Sequence, residues 1–570
     1  MCERAHFSSS LFGSLPQFLF QLICDCPDSG LLRAYRYHEA TLVEVEAEGG
    51  AEGGVDLGRW SDVVGVVDRF RGQGKLLKSL NLSGHDTLNN LLVSHIALHL
   101  SAILLRLDIS GCCGYSADCS DVIRSISSLT SLTCLNVADN PDLIDDAAIT
   151  VFTSRMRALR SLDVSGCVRL TDQSLYSIAT GSGDALTSLS AARNVLLTHS
   201  GAHMLTAHCR NLSHLDLNHC PLVSGIGVMM AMSNGQLNFA SRTLTSVNFD
   251  SCCELTGESL EWLCAANSGL KRVSLRGVRY LEEGTLLGLM TACPQLTLLN
   301  LSGCVSVTGR AVRAIASHCS ALTDLNLSSI PLKLSAKSVA DLLLQCSSMV
   351  QLDLSRNRSL GDEIFENIGL TLAAREQEEN ASTTDGGRNR GKNTRRSSSR
   401  GVKSTDSSVP RRRSIRRGVS CDLSRLTSLN ISYCGFSAYG VACFAEKCAS
   451  LVQLDLCGLS QLTDGAVSVV VSCCRALAHL WVDDCPALTN YAVVEASYGL
   501  PCLLSLHLSS SAEAYMTPRG DLVCHQQYSD DAVEAILDGA RGIREVCNLF
   551  VPVRTDILLA LSLSTLASFH

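Results

Sequence analysis

The phrase L-x-x-L-x-L-x-x-(C/N) returns along most of this chain at an almost constant interval, and that regularity constrains the fold more than any other feature. Copies begin at Leu77, Leu104, Leu132, Leu159, Leu186, Leu212, Leu244, Leu270, Leu296, Leu322 and Met349, then at Leu426, Leu451, Leu477 and Leu503. From Leu132 to Met349 the steps are 27, 27, 26, 32, 26, 26, 26 and 27 residues. A period of this length marks an array of supersecondary units that bury a continuous core only by stacking on one another.

The copy beginning at Leu159, LRSLDVSGCVRLTDQSLYSIATGSGDA, shows what one unit builds. Leu162 and Val164 alternate with Ser161, Asp163 and Ser165, the period-two pattern of a short strand with one buried face. Thr171 or Asp172 then offers an oxygen to cap a helix that turns Leu175 and Ile178 inward. Strand and helix alternate, so the expected fold is an α/β solenoid with a parallel sheet on the concave face and helices on the convex face.

The 28 cysteines suggest zinc or disulfides until their spacing is considered. No C-x-x-C pair occurs, so the usual thiolate clamp for zinc is missing. Cys112, Cys167, Cys220, Cys252, Cys304, Cys434 and Cys485 instead share the ninth repeat position with Asn140, Asn194 and Asn357. Cys209, Cys293, Cys319, Cys346, Cys448 and Cys474 stand three residues before the next repeat. Fixed placement indicates a structural role for reduced thiols, as in cytoplasm or nucleus.

With LTSVNFDSCCELTGESL, LTLLNLSGCVSVTGRAV and LVQLDLCGLSQLTDGAV, the chain resembles the cysteine-containing leucine-rich repeats of F-box/LRR proteins over roughly residues 76–508, apart from one insert. The resemblance implies a leucine-rich-repeat solenoid, a horseshoe of the ribonuclease-inhibitor kind, that holds a protein client, often for ubiquitin transfer by a cullin ligase.

Residues 1–75 read as a cap or a degenerate F-box-like segment. Leu15, Pro16, Leu19, Leu22, Ile23, Leu31, Leu32 and Tyr35 partly match the adaptor-docking pattern, which places a cullin adaptor on residues 11–37. The closing tryptophan of that pattern is absent, and AEGGAEGGVDLG reads as a flexible acidic break. Terminal units must also hide the exposed end of the stack, which is what a cap would do. The remaining division is repeats over 76–372, a disordered basic insert over 373–421, repeats over 422–510 and an irregular C-terminal cap over 511–570.

The insert is rich in Ser, Thr, Gly, Arg and Asn and too poor in apolar residues to offset its ordering entropy. Between Ala381 and Ser420 it carries 12 Lys and Arg against Asp385 and Asp406, a net of +10, so the rest of the chain carries −8 − 10 = −18. RRSSS and RRRSIRRGVS resemble import signals, tethers or sites of an arginine-directed kinase, with Ser398 and Ser414 as acceptors. A plain solvated loop accounts for the insert equally well. No aromatic residues are interleaved for stacking, which argues against specific nucleic-acid recognition.

No charge-free apolar run reaches the roughly 18 residues of a membrane span, and Arg4 with Phe7–Ile23 poorly imitates a signal peptide. H-E-x-x-H, G-x-S-x-G and G-x-x-x-x-G-K-[ST] are all absent, so no catalytic residue, cofactor or metal site is expected.

A partner is expected on the hollow face. Most residues between the last two leucines of each copy are small and polar, Asp163 and Asn300 among them, and read as structural. Two places depart from that default. Arg272 and Arg276 flank Ser274 with paired cations suited to a carboxylate or phosphate. His479, Trp481 and Asp483 share one strand beside Asp455 and His507, and an exposed tryptophan is typical of binding hot spots unless the C-terminal cap folds over it. Three functions compete: a client-presenting adaptor within a cullin-type ligase, a scaffold of a cytoskeletal or ciliary assembly, and a regulator of a small GTPase.

Overall fold

In a computed structural model of the chain, the described residues are 77–84, 90–112, 119–224, 244–330, 334–385 and 423–508. Short segments at 42–47, 52–56, 515–516, 522–523, 532, 535–536, 545–547 and 568–569 are described as well.

Fifteen short strands, from Leu77–Asn81 to Ser505–His507, lie side by side in chain order, all parallel. The register is set by the leucines: Leu135 pairs with Leu162, Leu162 with Leu189 and Leu189 with Leu215. In Ser161–Asp163, Ser188–Ser190 and Leu298–Asn300 the central residue is buried and its two neighbours are half-exposed, as a period-two strand with one wet face requires. The fold is therefore the expected α/β leucine-rich-repeat solenoid.

Irregular spacing leaves the sheet intact. Across the 32-residue step Leu215 still pairs with Val247, and across the long insert Leu352 pairs with Leu429. The helix Glu363–Asp385 runs past the boundary placed at Ala373, so the first part of the supposed insert is helical. Residues 386–422, with Ser398 and Ser414, lie outside the described residues.

The acidic stretch expected to be a flexible break is instead part of a hairpin. Strands Leu42–Ala47 and Glu52–Asp56 pair antiparallel, and the first of them pairs antiparallel with Leu77–Asn81. A free sheet edge invites non-native pairing, and this hairpin occupies the N-terminal one. At the other end Glu545–Cys547 continues the sheet beside Ser505–His507. Residues 11–37 lie outside the described residues.

The core is one continuous column of aliphatic side chains. Leu162, Val164, Leu175 and Ile178 are buried in their repeat, and equivalents recur from Leu80 to Leu508. Each fully buried leucine contributes about 1.5–3 kcal/mol relative to exposure.

Two polar ladders fix the spacing between repeats. On the strand side, the ninth-position residue reaches back to a carbonyl of the preceding repeat. Cys304 Sγ donates to the Leu275 carbonyl at 3.0 Å, Cys112 to Leu82 at 3.0 Å, and Asn357 Nδ2 to Leu327 at 2.8 Å. Cys and Asn interchange because each brings a donor to the same buried acceptor, which would otherwise be left unpaired at a cost.

On the helix side, Thr and Asp divide the capping that the sequence left between them. Thr171 Oγ1 accepts from the Gln173 amide and so caps its own helix. Asp172 instead serves the following repeat, accepting from the Thr198 amide at 2.8 Å and from the Thr198 hydroxyl. Asp146 does the same for Thr171, Asp362 for Ser437 and Asp464 for Thr489.

Candidate protein-binding face

The outward residue of each strand mostly performs an internal task. Oδ1 of Asp163 accepts from the Ser165 amide at 2.9 Å, Asn300 from Ser302 at 3.1 Å, and Asp353 from Ser355 at 2.9 Å. Neighbouring side chains of the column also pair, as Asn136 Nδ2 does with Asp108 Oδ2 at 2.9 Å. These residues hold the chain where it turns away from the sheet, which accounts for their small polar character.

At Ser274 the task passes to the preceding repeat, to a residue just past the strand Ser246–Asn248. Asp250 Oδ1 accepts from the Arg276 amide at 2.7 Å and from the Ser274 hydroxyl at 2.5 Å. Arg272 and Arg276 are both exposed, and neither guanidinium forms an ion pair among the described residues. The two cations thus stand on the open face with their donors turned to solvent.

At the C-terminal end the column becomes aromatic. Trp481 stacks against His479 with ring centroids 5.8 Å apart and planes 20° apart, and against His507 at 5.2 Å and 24°. Strand pairing sets Asp455 beside Trp481 on one side and His507 on the other. Trp481, His479 and His507 are each half-buried.

Asp455 Oδ1 accepts from the Cys457 amide at 3.0 Å, and Asp483 Oδ2 accepts from Cys457 Sγ at 3.5 Å. The other carboxylate oxygen of Asp483 is buried without a hydrogen-bond partner. Burial, together with Asp455, raises the Cys457 thiol far above the usual cysteine range. Of the five residues expected to cluster here, Asp455, His479, Trp481 and His507 are on adjoining strands, while Asp483 stands in the turn after the strand His479–Trp481 rather than on it; Arg272 and Arg276 occupy a separate place earlier in the repeat array.

Sequence reasoning missed a rim beside this face. The eighth repeat position has positive φ throughout the described repeats, in Gly84, Gly111, Gly166, Gly277, Gly303 and Gly458 and in eight residues that are not glycine. Among the eight, Asp139 and Arg193 form an ion pair at 2.8 Å, and the Tyr433 hydroxyl donates to Asp484 at 2.9 Å. Arg356 lies over the Tyr433 ring, 5.7 Å from its centroid. The only sequence signal for this rim is the irregular replacement of glycine at one fixed position.

No group of three or more His, Cys, Asp or Glu among the described residues is arranged to hold a metal ion. Burial pushes the ninth-position thiols Cys167, Cys252, Cys304 and Cys485 up to about 12, so they stay protonated near neutral pH. No helix among the described residues is long and apolar enough to cross a membrane.

Residues 208–230 match the family model described as Leucine Rich repeat. Among solved structures, the chain is similar to one in the yeast Rad7 and Elc1 complex, with 12% identity, 87% of this chain and 93% of that chain covered, and a TM-score of 0.47. It is also similar to an internalin, inlF, from Listeria monocytogenes, with 14% identity, coverage of 82% and 98%, and a TM-score of 0.41. A third similar structure is TLR13 in complex with ssRNA13, with 14% identity, coverage of 84% and 66%, and a TM-score of 0.38.

Proposed function

We propose that this leucine-rich-repeat protein is a non-catalytic scaffold that holds a protein client against the open face of its sheet, between Arg272 and His507. The observation that carries this reading is the break in an otherwise internal column. Where Asp and Asn secure the turns, the face is occupied by its own hydrogen bonds; at Arg272, Arg276 and Trp481 it presents groups that nothing described in the chain engages fully. Tryptophan and arginine are the side chains most enriched at binding hot spots.

The finer reading is a substrate-recognition subunit of a cullin-type ubiquitin ligase, acting in cytoplasm or nucleus, with residues 11–37 docking the adaptor. Its support is the Leu15–Pro16 pattern and the cysteine-containing repeats. Ser398 and Ser414 are its proposed phosphorylation sites, because each follows arginines in a segment of net +10.

The test is site-specific photocrosslinking in cells. A photoreactive residue at Gln453, exposed on the sheet, should capture discrete proteins that one at Leu98, exposed on a helix, does not. Equal capture from both faces would overturn the scaffold reading. Loss of a co-purifying cullin adaptor on deletion of residues 11–37 supports the ligase reading, and absence of that adaptor from the intact protein's partners removes it.

One observation favours a second reading. The basic segment leaves between two strands that still pair directly, Gln351–Asp353 and Ser428–Asn430, so it can serve as a tether without disturbing the repeats. A cytoskeletal or ciliary scaffold would remain in the insoluble fraction and lose that retention when residues 386–421 are removed.

A further inference from the structure

We infer that the corner formed by Asp455, Trp481 and Asp483 seats a cationic side chain, arginine or lysine, of the protein client. This rests on the proposal that the sheet face binds a client, and it specifies the chemistry of one contact.

The strands Ser428–Asn430, Gln453–Asp455, His479–Trp481 and Ser505–His507 carry no lysine or arginine. Asp455 nevertheless stands directly beside Trp481, and Asp483 and Asp484 follow Trp481 in the turn after its strand. A carboxylate buried beneath a client without a counter-charge would pay a heavy desolvation cost, so an apolar occupant is disfavoured here.

Geometry points the same way. Asp455 is the direct neighbour of Trp481 on the adjacent strand, about 4.8 Å away in the sheet, and Asp483 follows Trp481 by two residues in the turn. A cation is attracted by an indole face within about 6 Å of its centroid, a distance from which a guanidinium reaches either carboxylate. His479 and His507 both stack on Trp481, and the half-buried indole adjoins Asp455 on the neighbouring strand.

The unpaired oxygen is a separate observation. Asp483 Oδ1 is buried and has no partner, although Oδ2 of the same carboxylate is engaged by Cys457. A buried acceptor left unmade is costly, and a turn of the half-buried carboxylate that brings Oδ1 to the surface would let an incoming N–H donor satisfy it.

The location also gives the client a direction. Arg272 stands six strands earlier, so the two places are about 29 Å apart along the sheet at the usual strand spacing. A client segment that touches both presents an acidic group toward Arg272 and a basic one toward Trp481.

The test uses the full chain labelled with 5-fluorotryptophan. Its three tryptophans give three fluorine resonances, and Trp481→Phe identifies the one that matters. The probe is acetyl-Gly-Arg-Gly-Arg-Gly-amide, beside the same peptide with citrulline, a neutral isostere, in place of arginine. The arginine peptide should shift the Trp481 resonance saturably, with the citrulline peptide at least about tenfold weaker. Asp483→Asn and Asp455→Asn should each weaken the arginine peptide about fivefold or more.

Equal shifts from the two peptides would overturn the proposal in favour of a plain stacking surface, and no shift with either would overturn it outright. The isostere comparison is made on the unaltered chain, so it does not depend on any variant folding. Should the peptide bind as expected while photocrosslinking at Gln453 captures nothing, the client reading alone falls. Capture at Gln453 with a silent Trp481 resonance removes only the cation seat.

Discussion

Tyr433 and Asp484 meet across an intervening repeat: the phenol donates to the carboxylate at 2.9 Å, although 51 residues separate them in the chain. Gly458 makes the contact feasible. A Cβ at that position would lie 2.3 Å from the Tyr433 ring, and its φ of +69° is one that residues with side chains rarely adopt. Gly458→Ala should therefore destabilise the protein by about 1–3 kcal/mol, measured from the urea midpoint. Tyr433→Ala in the same background should recover part of that loss, and a Gly458→Ala variant as stable as the parent would show that the rim is not packed as described.

The helix-capping carboxylates predict a weakness to acid. Burial pushes Asp146 upward, but hydrogen bonds from Ser174 and Thr171 more than offset it and leave the carboxyl below its ordinary value. A depressed value means that the folded state favours the charged form, so the contribution is present above about pH 4 and is lost as pH falls through the folded value. Asp146→Asn should be less stable than the parent at pH 7, with the difference shrinking below about pH 4. A difference constant from pH 7 to pH 3 would contradict this.

Thiol chemistry separates cysteines that otherwise look alike in the chain. Cys167, Cys252, Cys304 and Cys485 are held near 12 by burial, whereas Cys502 is exposed. Iodoacetamide at pH 8, followed by peptide mass spectrometry, should label Cys502 within minutes and leave those four untouched until denaturant is added. Rapid native labelling of Cys304 would be incompatible with its place between repeats.

The interchange of Asn and Cys at the ninth position can be tested at Asn357. Its Nδ2 donates to the carbonyls of Leu327 and Leu354, both at 2.8 Å, and its Oδ1 accepts from the Ile330 amide. Asn357→Ala strips these buried groups of their partner and should cost about 2–4 kcal/mol. Asn357→Cys should cost less than half as much in the same unfolding assay, because a thiol donates to the equivalent carbonyl in Cys304. Equal losses from the two variants would mean that shape rather than the donor decides the position.

The repeat was legible because one residue type reports it directly. Leu135, Leu162 and Leu189 align since each is the buried centre of its strand, and a slip by one residue would turn every leucine to solvent. The same register made the aromatic corner legible, for Trp481 and His507 occupy one position of successive copies. Contacts set by geometry between copies were not legible. Nothing in the identity of Asp250 says that it holds the Arg276 amide, or in that of Asp172 that it serves Thr198 rather than its own helix. The hairpin over 42–56 was hidden by glycine and glutamate, which signal a break until a sheet edge is there to pair with.

The Asp and Thr clamps have a direction, and it is the direction of synthesis. In the pairs Asp146 with Thr171, Asp172 with Thr198 and Asp464 with Thr489, the carboxylate comes earlier in the chain than the group it receives. Each repeat thus leaves the ribosome after the acceptor for its helix has been made, and the solenoid can close turn by turn on a template already standing. A nascent chain halted just after Thr171, Thr198 or Thr489 would hold the helix begun there against an acceptor already in place.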